Sequence, residues 1–128
     1  MDWAFLIGRV VFGFLFVFYA INHFRSLQGT IGYAASKNVP APQVTVVVAS
    51  LMMLLGGLSV IVGFQPVIGG ILLIVFLVLA AYWMHDFWAE SDPYARANQM
   101  AHFMKNIGLA GAALALLAVP TPWPLSLG

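Results

Sequence analysis

The chain contains no cysteine. Disulfides, thiolate nucleophiles, cysteine-ligated zinc and iron–sulfur clusters are thereby excluded. Charge is almost as scarce: five Lys or Arg and four Asp or Glu among 128 residues, or 7% of the chain. An average soluble domain is roughly a quarter charged. A water-soluble globule of this size needs a polar shell that so few ionised groups cannot supply. With a net charge of +1 there is no basic field to hold nucleic acid, and no nucleic-acid partner is expected. No polar stretch is long enough for an enzyme domain outside the apolar runs, so residues 1–128 read as a single transmembrane domain.

What the chain has instead is apolar surface, 62% of its residues. Four apolar runs stand out, at about Trp3–Phe24, Gln43–Phe64, Pro66–His85 and Gln99–Val119. Each approaches the ~20 residues that cross ~30 Å of hydrocarbon at 1.5 Å per residue. Backbone groups in lipid need internal partners, so these runs are expected to be helices. The fold class is therefore all-α, an integral membrane four-helix bundle. The first run is not read as a secretory signal: no basic residue precedes it, Arg9 sits inside it, and no small-residue cleavage pattern follows.

The connections differ in kind. Gly63-Phe-Gln-Pro66 is a tight turn that makes the second and third spans antiparallel neighbours. Gln28–Lys37 predicts a short interfacial helix between spans one and two, ended by Asn38-Val-Pro-Ala-Pro42. The segment Asp86–Asn98 reads as a polar loop with Pro93 as a break, and Trp83 and Trp88 suit an interfacial belt. Pro120-Thr-Pro-Trp-Pro124 predicts a stiff exit from the membrane. Glycines at 8, 13, 56, 57, 69, 70, 108 and 111 predict close helix packing.

Arg25, Lys37, Arg96 and Lys105 fall on the side of the two longer loops, and only Arg9 lies toward the other. The positive-inside rule puts those loops in the cytoplasm and both termini outside, in a cell (inner) membrane. This topology gathers Asn22-His23, His85-Asp86 and Gln99/His102/Lys105/Asn106 at one membrane face. Gln99, His102 and Asn106 are spaced three and four apart, on one helix stripe. Asn106 lies about 10 Å along from Gln99, inside hydrocarbon, and is expected to face the bundle. Lys105 can snorkel to the headgroups.

A histidine can donate to a ligand carbonyl and relay a proton, so Asn22, His23, His85, His102, Lys105 and Asn106 are the candidate residues for a lipid-soluble ligand such as a quinone. The competing reading is ordinary interfacial polarity. No haem or metal is expected, because the histidines lack ligand spacing and lie near the membrane edge. Arg9 is expected to pair with Asp2 or a lipid phosphate. Phe12, Phe16, Tyr19 and His23 share a face that suits a flat ligand, whereas Met52-Met53 and the phenylalanines at 12, 14, 16 and 18 read first as packing and lipid-facing surface.

Several of these segments resemble the DoxX family of small four-span membrane proteins: Gly8-Arg-Val-Val-Phe-Gly13, Asn22-His-Phe24, Gly32-Tyr-Ala-Ala-Ser-Lys-Asn-Val-Pro-Ala-Pro42, Leu54-Leu-Gly-Gly57, and His102-Phe-Met-Lys-Asn106. The resemblance implies a four-helix membrane fold. Some relatives are the membrane subunit of a thiosulfate:quinone oxidoreductase, and others are linked to oxidative stress or quinone detoxification. Many relatives carry an acidic residue where this chain has Met53, so a proton-coupled role that depends on that carboxylate is not implied. The expected function is a quinone-interacting, redox-associated subunit working with another protein subunit or as a homo-oligomer among membrane lipids. It is at most the membrane subunit of a quinone-linked oxidoreductase, since no redox centre or nucleotide fold is present. The alternative is a structural or accessory subunit with no chemistry of its own. A solute channel is disfavoured, because Ser50 and Ser59 are the main polar groups at the helix centres.

Overall fold

The computed structural model describes all residues, Met1–Gly128. It contains five α-helices and no strand: α1 (Asp2–Arg25), α2 (Leu27–Ser36), α3 (Pro42–Val62), α4 (Pro66–Met84) and α5 (Pro93–Leu117), with a short 3₁₀ turn at Phe87–Ala89. Helices α1, α3, α4 and α5 are long and apolar enough to cross a membrane, and α2 is the expected short connector. Proline at the start of α3, α4 and α5 explains three of these boundaries, since the first turn has no use for the missing N–H.

Pro93 does not break a loop. It opens α5 ahead of the expected span, because Asp92 caps the helix by accepting from the Ala95 backbone N–H at 2.9 Å. The polar stripe Gln99–Asn106 therefore lies inside a continuous helix, and Asn106 sits near its middle.

Helix α3 is the central element, with α1 packed on one side and α4 on the other; α5 then packs on α4. Its paired glycines serve the two neighbours separately. A Cβ on Gly57 would lie 2.7 Å from the Gly13 carbonyl oxygen, and one on Gly13 would lie 2.7 Å from the Gly57 carbonyl. A Cβ on Gly56 would meet the Gly69 carbonyl at 2.9 Å. These distances let the backbones touch, which in lipid replaces the hydrophobic driving force that water provides. Gly57→Val is expected to separate α1 from α3 and cost on the order of 3 kcal/mol. A thermal melt in detergent checks this. The neighbouring Leu58→Val, on the exposed face of α3, is the control and is expected to melt like the wild type.

Gly8, Gly108 and Gly111 depart from the packing expectation: nothing of the chain lies within 4 Å of a Cβ built on them. The reason is that α1 and α5 do not pack along each other, so the bundle is open on that side. Gly63 closes α3 with a left-handed φ of 71°, its N–H and that of Phe64 both donating to the Ser59 carbonyl. Ser59 in turn donates to the carbonyls of Phe64 and Gln65, which makes it part of the turn rather than of any polar lining.

The C-terminal segment is not an exit. It folds back across the end of the bundle where the α3–α4 turn lies, and Trp123 is 3% exposed within the main core. Arg9 is the reason. It is 1% exposed and forms no ion pair with Asp2. Its guanidinium donates to the carbonyls of Ile61 (3.3 Å), Pro124 (2.6 Å) and Leu125. The rings of Phe5 and Trp123 lie 5.6 and 5.8 Å from its Cζ. Ile61 belongs to the last turn of α3, where carbonyl dipoles favour a cation.

Candidate functional site

At the opposite end α1, α3, α4 and α5 face a common space, and residues of α2 border it as well. The result is a cavity of about 810 Å³ with largely apolar walls. That volume falls within the range of roughly 300–1,000 Å³ typical of small-molecule sites. Phe16, Met52, Met53, Leu77 and Leu109 form its deep part, and Tyr19, His23, His85, His102 and Lys105 its polar end.

The roof is fastened at three places. Ala34 of α2 is buried with Val39 and Val46 against Trp83 and Met84. Tyr33 donates its hydroxyl to the Met84 carbonyl at 3.0 Å. Lys37 meets Asp86 at 2.8 Å and Glu90 at 3.5 Å. The hydrogen bond to Asp86 pushes the Lys37 ammonium above its ordinary range, against the smaller opposing effect of burial. A raised lysine pKa stabilises the fold fully below the ordinary lysine value and loses that contribution as pH rises through the raised one. The roof is therefore expected to hold from neutral pH up to the ordinary lysine range and to loosen above it. Lys37→Met is expected to weaken it by about 1 kcal/mol at pH 7. Limited proteolysis between α2 and α3 reads both effects.

The histidines are each held differently. His23 Nδ1 lies 3.3 Å from Ser50 Oγ, and Ser50 donates to the Val46 carbonyl at 2.8 Å. His85 Nδ1 lies 2.9 Å from Gln99 Oε1, while Gln99 Nε2 donates to the Tyr33 hydroxyl at 2.9 Å. The His102 ring stacks on His85 with centroids 5.0 Å apart and planes inclined by 21°. Gln99 thus orients His85 without lining the cavity itself.

Asn106 lines the cavity and is 5% exposed. Its side-chain amide makes no hydrogen bond within the chain, yet no side-chain nitrogen or oxygen is both enclosed and unpartnered. The amide therefore opens onto the cavity. Lys105 is exposed and places its ammonium 5.6 Å from the Tyr19 ring centroid, bridging α5 to α1 across the open side. Asn22 is exposed on the outer side of α1 and does not reach the cavity.

His23, His85, His102, Lys105 and Asn106 are thus brought to one cavity, and Asn22 is not. Sequence reasoning missed the roles of four residues. Ser50 faces His23, Tyr33 orients Gln99 and through it His85, and Lys37 with Asp86 pins the roof. Trp83 lines the cavity, and Trp88 is exposed. No three His, Asp or Glu side chains are grouped as metal ligands.

Four spans, minimal loops and an interhelical cavity define a small multi-pass membrane protein. The chain belongs to the DoxX family, whose model matches residues 4–86. It is similar to the inner membrane protein YphA of Escherichia coli (strain K12), with 29% identity over 122 residues, 95% of this chain and 86% of that protein. No solved structure matches it.

Proposed function

We propose that this protein binds a lipid-soluble quinone and serves as the membrane-embedded subunit of a redox assembly. The observation that carries this reading is the unpartnered Asn106 amide, held in an apolar cavity of quinone size that ends in three imidazoles. A polar group so placed needs a ligand with a polar head and an apolar body. The long apolar wall through Met53, Leu77 and Leu109 suits the ring and the start of an isoprenoid tail. The open side between α1 and α5 suits its continuation into lipid. A bound quinone supplies two-electron, two-proton chemistry. The chain's own residues bind and orient the ring, exclude water and offer imidazoles for proton movement. Electrons come from a partner protein. The distribution of lysine and arginine favours a cytoplasmic cavity with both termini outside.

Titrating a decyl-substituted benzoquinone is expected to quench Trp83 saturably, and lipid extracts of the purified protein are expected to contain quinone. Absence of both results overturns the proposal. A second reading, an accessory subunit without ligand chemistry, draws on α5. That helix has the smallest buried share of the four spans, with Gly108 and Gly111 meeting nothing of the chain. Native mass measurement in mild detergent tests it, a lone stable monomer counting against.

A further inference from the structure

The hydrogen bonds behind two of the cavity's histidines decide which ring nitrogen carries the proton. A backbone carbonyl only accepts, so each chain of bonds has a direction. Ser50 spends its hydroxyl proton on the Val46 carbonyl, so Ser50 Oγ faces His23 Nδ1 as an acceptor and Nδ1 carries the hydrogen. Tyr33 likewise gives its proton to the Met84 carbonyl, so the Tyr33 oxygen accepts from Gln99 Nε2. That orientation turns Gln99 Oε1 toward His85, whose Nδ1 must then donate.

Both neutral rings are thus held as the Nδ1–H form, leaving Nε2 as a bare lone pair. Neither Nε2 has a partner in the chain and neither is enclosed, and both rings line the cavity. Two separate relays, one through α3 and one through α2 and α5, reach the same outcome. Of the other polar groups, the Asn106 amide both donates and accepts and serves any ligand. Lys105, exposed at the cavity's edge, and His102, stacked on His85 with no hydrogen bond in the chain to fix its tautomer, face either form of the ligand alike, so the discrimination rests on His23 and His85.

From this geometry we infer that the cavity selects its ligand in the hydroxyl-bearing, reduced form: a hydroquinone whose O–H groups donate to His23 Nε2 and His85 Nε2, in preference to the quinone, whose carbonyls only accept. The inference rests on the quinone-site reading and sharpens it. Ser50 and Gln99 are positioning residues that act through the histidines.

The test compares a decyl-substituted benzoquinone with the same molecule reduced to its hydroquinone. Both are titrated anaerobically at pH 8, above the ordinary imidazole range. The midpoint of Trp83 quenching is the readout. The hydroquinone is expected to bind about tenfold more tightly, the worth of one to two net hydrogen bonds. Ser50→Ala and Gln99→Leu are each expected to bring the two midpoints together by weakening the hydroquinone and sparing the quinone. Equal midpoints in the wild-type protein, or tighter quinone, overturn the inference and leave the binding site standing. Saturable quenching by neither form overturns the site and the inference with it. Nitrogen-15 NMR of labelled histidines in the unmodified protein gives an independent reading. Protonated Nδ1 and bare Nε2 at His23 and His85 are expected, and the opposite tautomer overturns the inference whatever the variants do.

Discussion

Asn106→Leu is expected to weaken quinone binding at least about tenfold while leaving the bundle as stable as before. Leucine is close enough to asparagine in shape to fill its place and removes an amide that has no partner in the chain. The substitution removes no hydrogen bond within the chain, so the melting temperature is expected to hold. The ligand loses the hydrogen bond that anchors it at mid-helix depth, and affinity falls at least about tenfold. The combination is diagnostic. A purely structural asparagine loses stability on this substitution, and a bystander changes neither property. Quinone titration and a melt of the same preparation separate the three cases, and wild-type affinity in the variant refutes the anchoring role.

Arg9→Met carries the largest expected effect on stability. The guanidinium holds three backbone carbonyls from two segments, at 1% exposure and with no carboxylate nearby. Removing it strands buried carbonyls and frees the segment that carries Trp123. The expected loss is on the order of 3–5 kcal/mol. Arg9→Lys is expected to recover less than half, because one ammonium cannot reproduce a planar fork that reaches three acceptors. Carboxypeptidase digestion provides the local readout. The C-terminal residues become cleavable in the folded variant and stay protected in the wild type. Protection in Arg9→Met contradicts the strapping role.

The two predictions concern opposite ends of one bundle, and the ends differed in how much the sequence disclosed. Run length and the absence of charge define the four spans, since lipid leaves few alternatives. The paired Gly56-Gly57 marks α3 as the helix that others approach closely. The convergence of His23, His85 and His102 followed from topology alone: the ends of α1 and α4 and the early turns of α5 must share a membrane face. Residues whose role depends on a distant partner were not legible. Arg9 looks like an outer-face anchor because its partners are backbone carbonyls, which carry no side-chain signal. Pro93 reads as a break unless Asp92 is seen as its cap. Ser50 has no local pattern announcing that it faces His23, nor Tyr33 that it meets Gln99. Asn22 failed for the converse reason: it precedes His23 directly, and adjacent helical residues face different ways.

The most direct test of a quinone-class ligand in this cavity is photoaffinity labelling in membranes with an azido-substituted benzoquinone, followed by mass-spectrometric mapping of the adducts. Labelling of the cavity wall, at Tyr33, Met52, Trp83 or Leu109, and its loss on adding excess unlabelled quinone, is the predicted result. Adducts confined to the outward-facing Phe14, Phe18 and Val75, unaffected by competitor, contradict it.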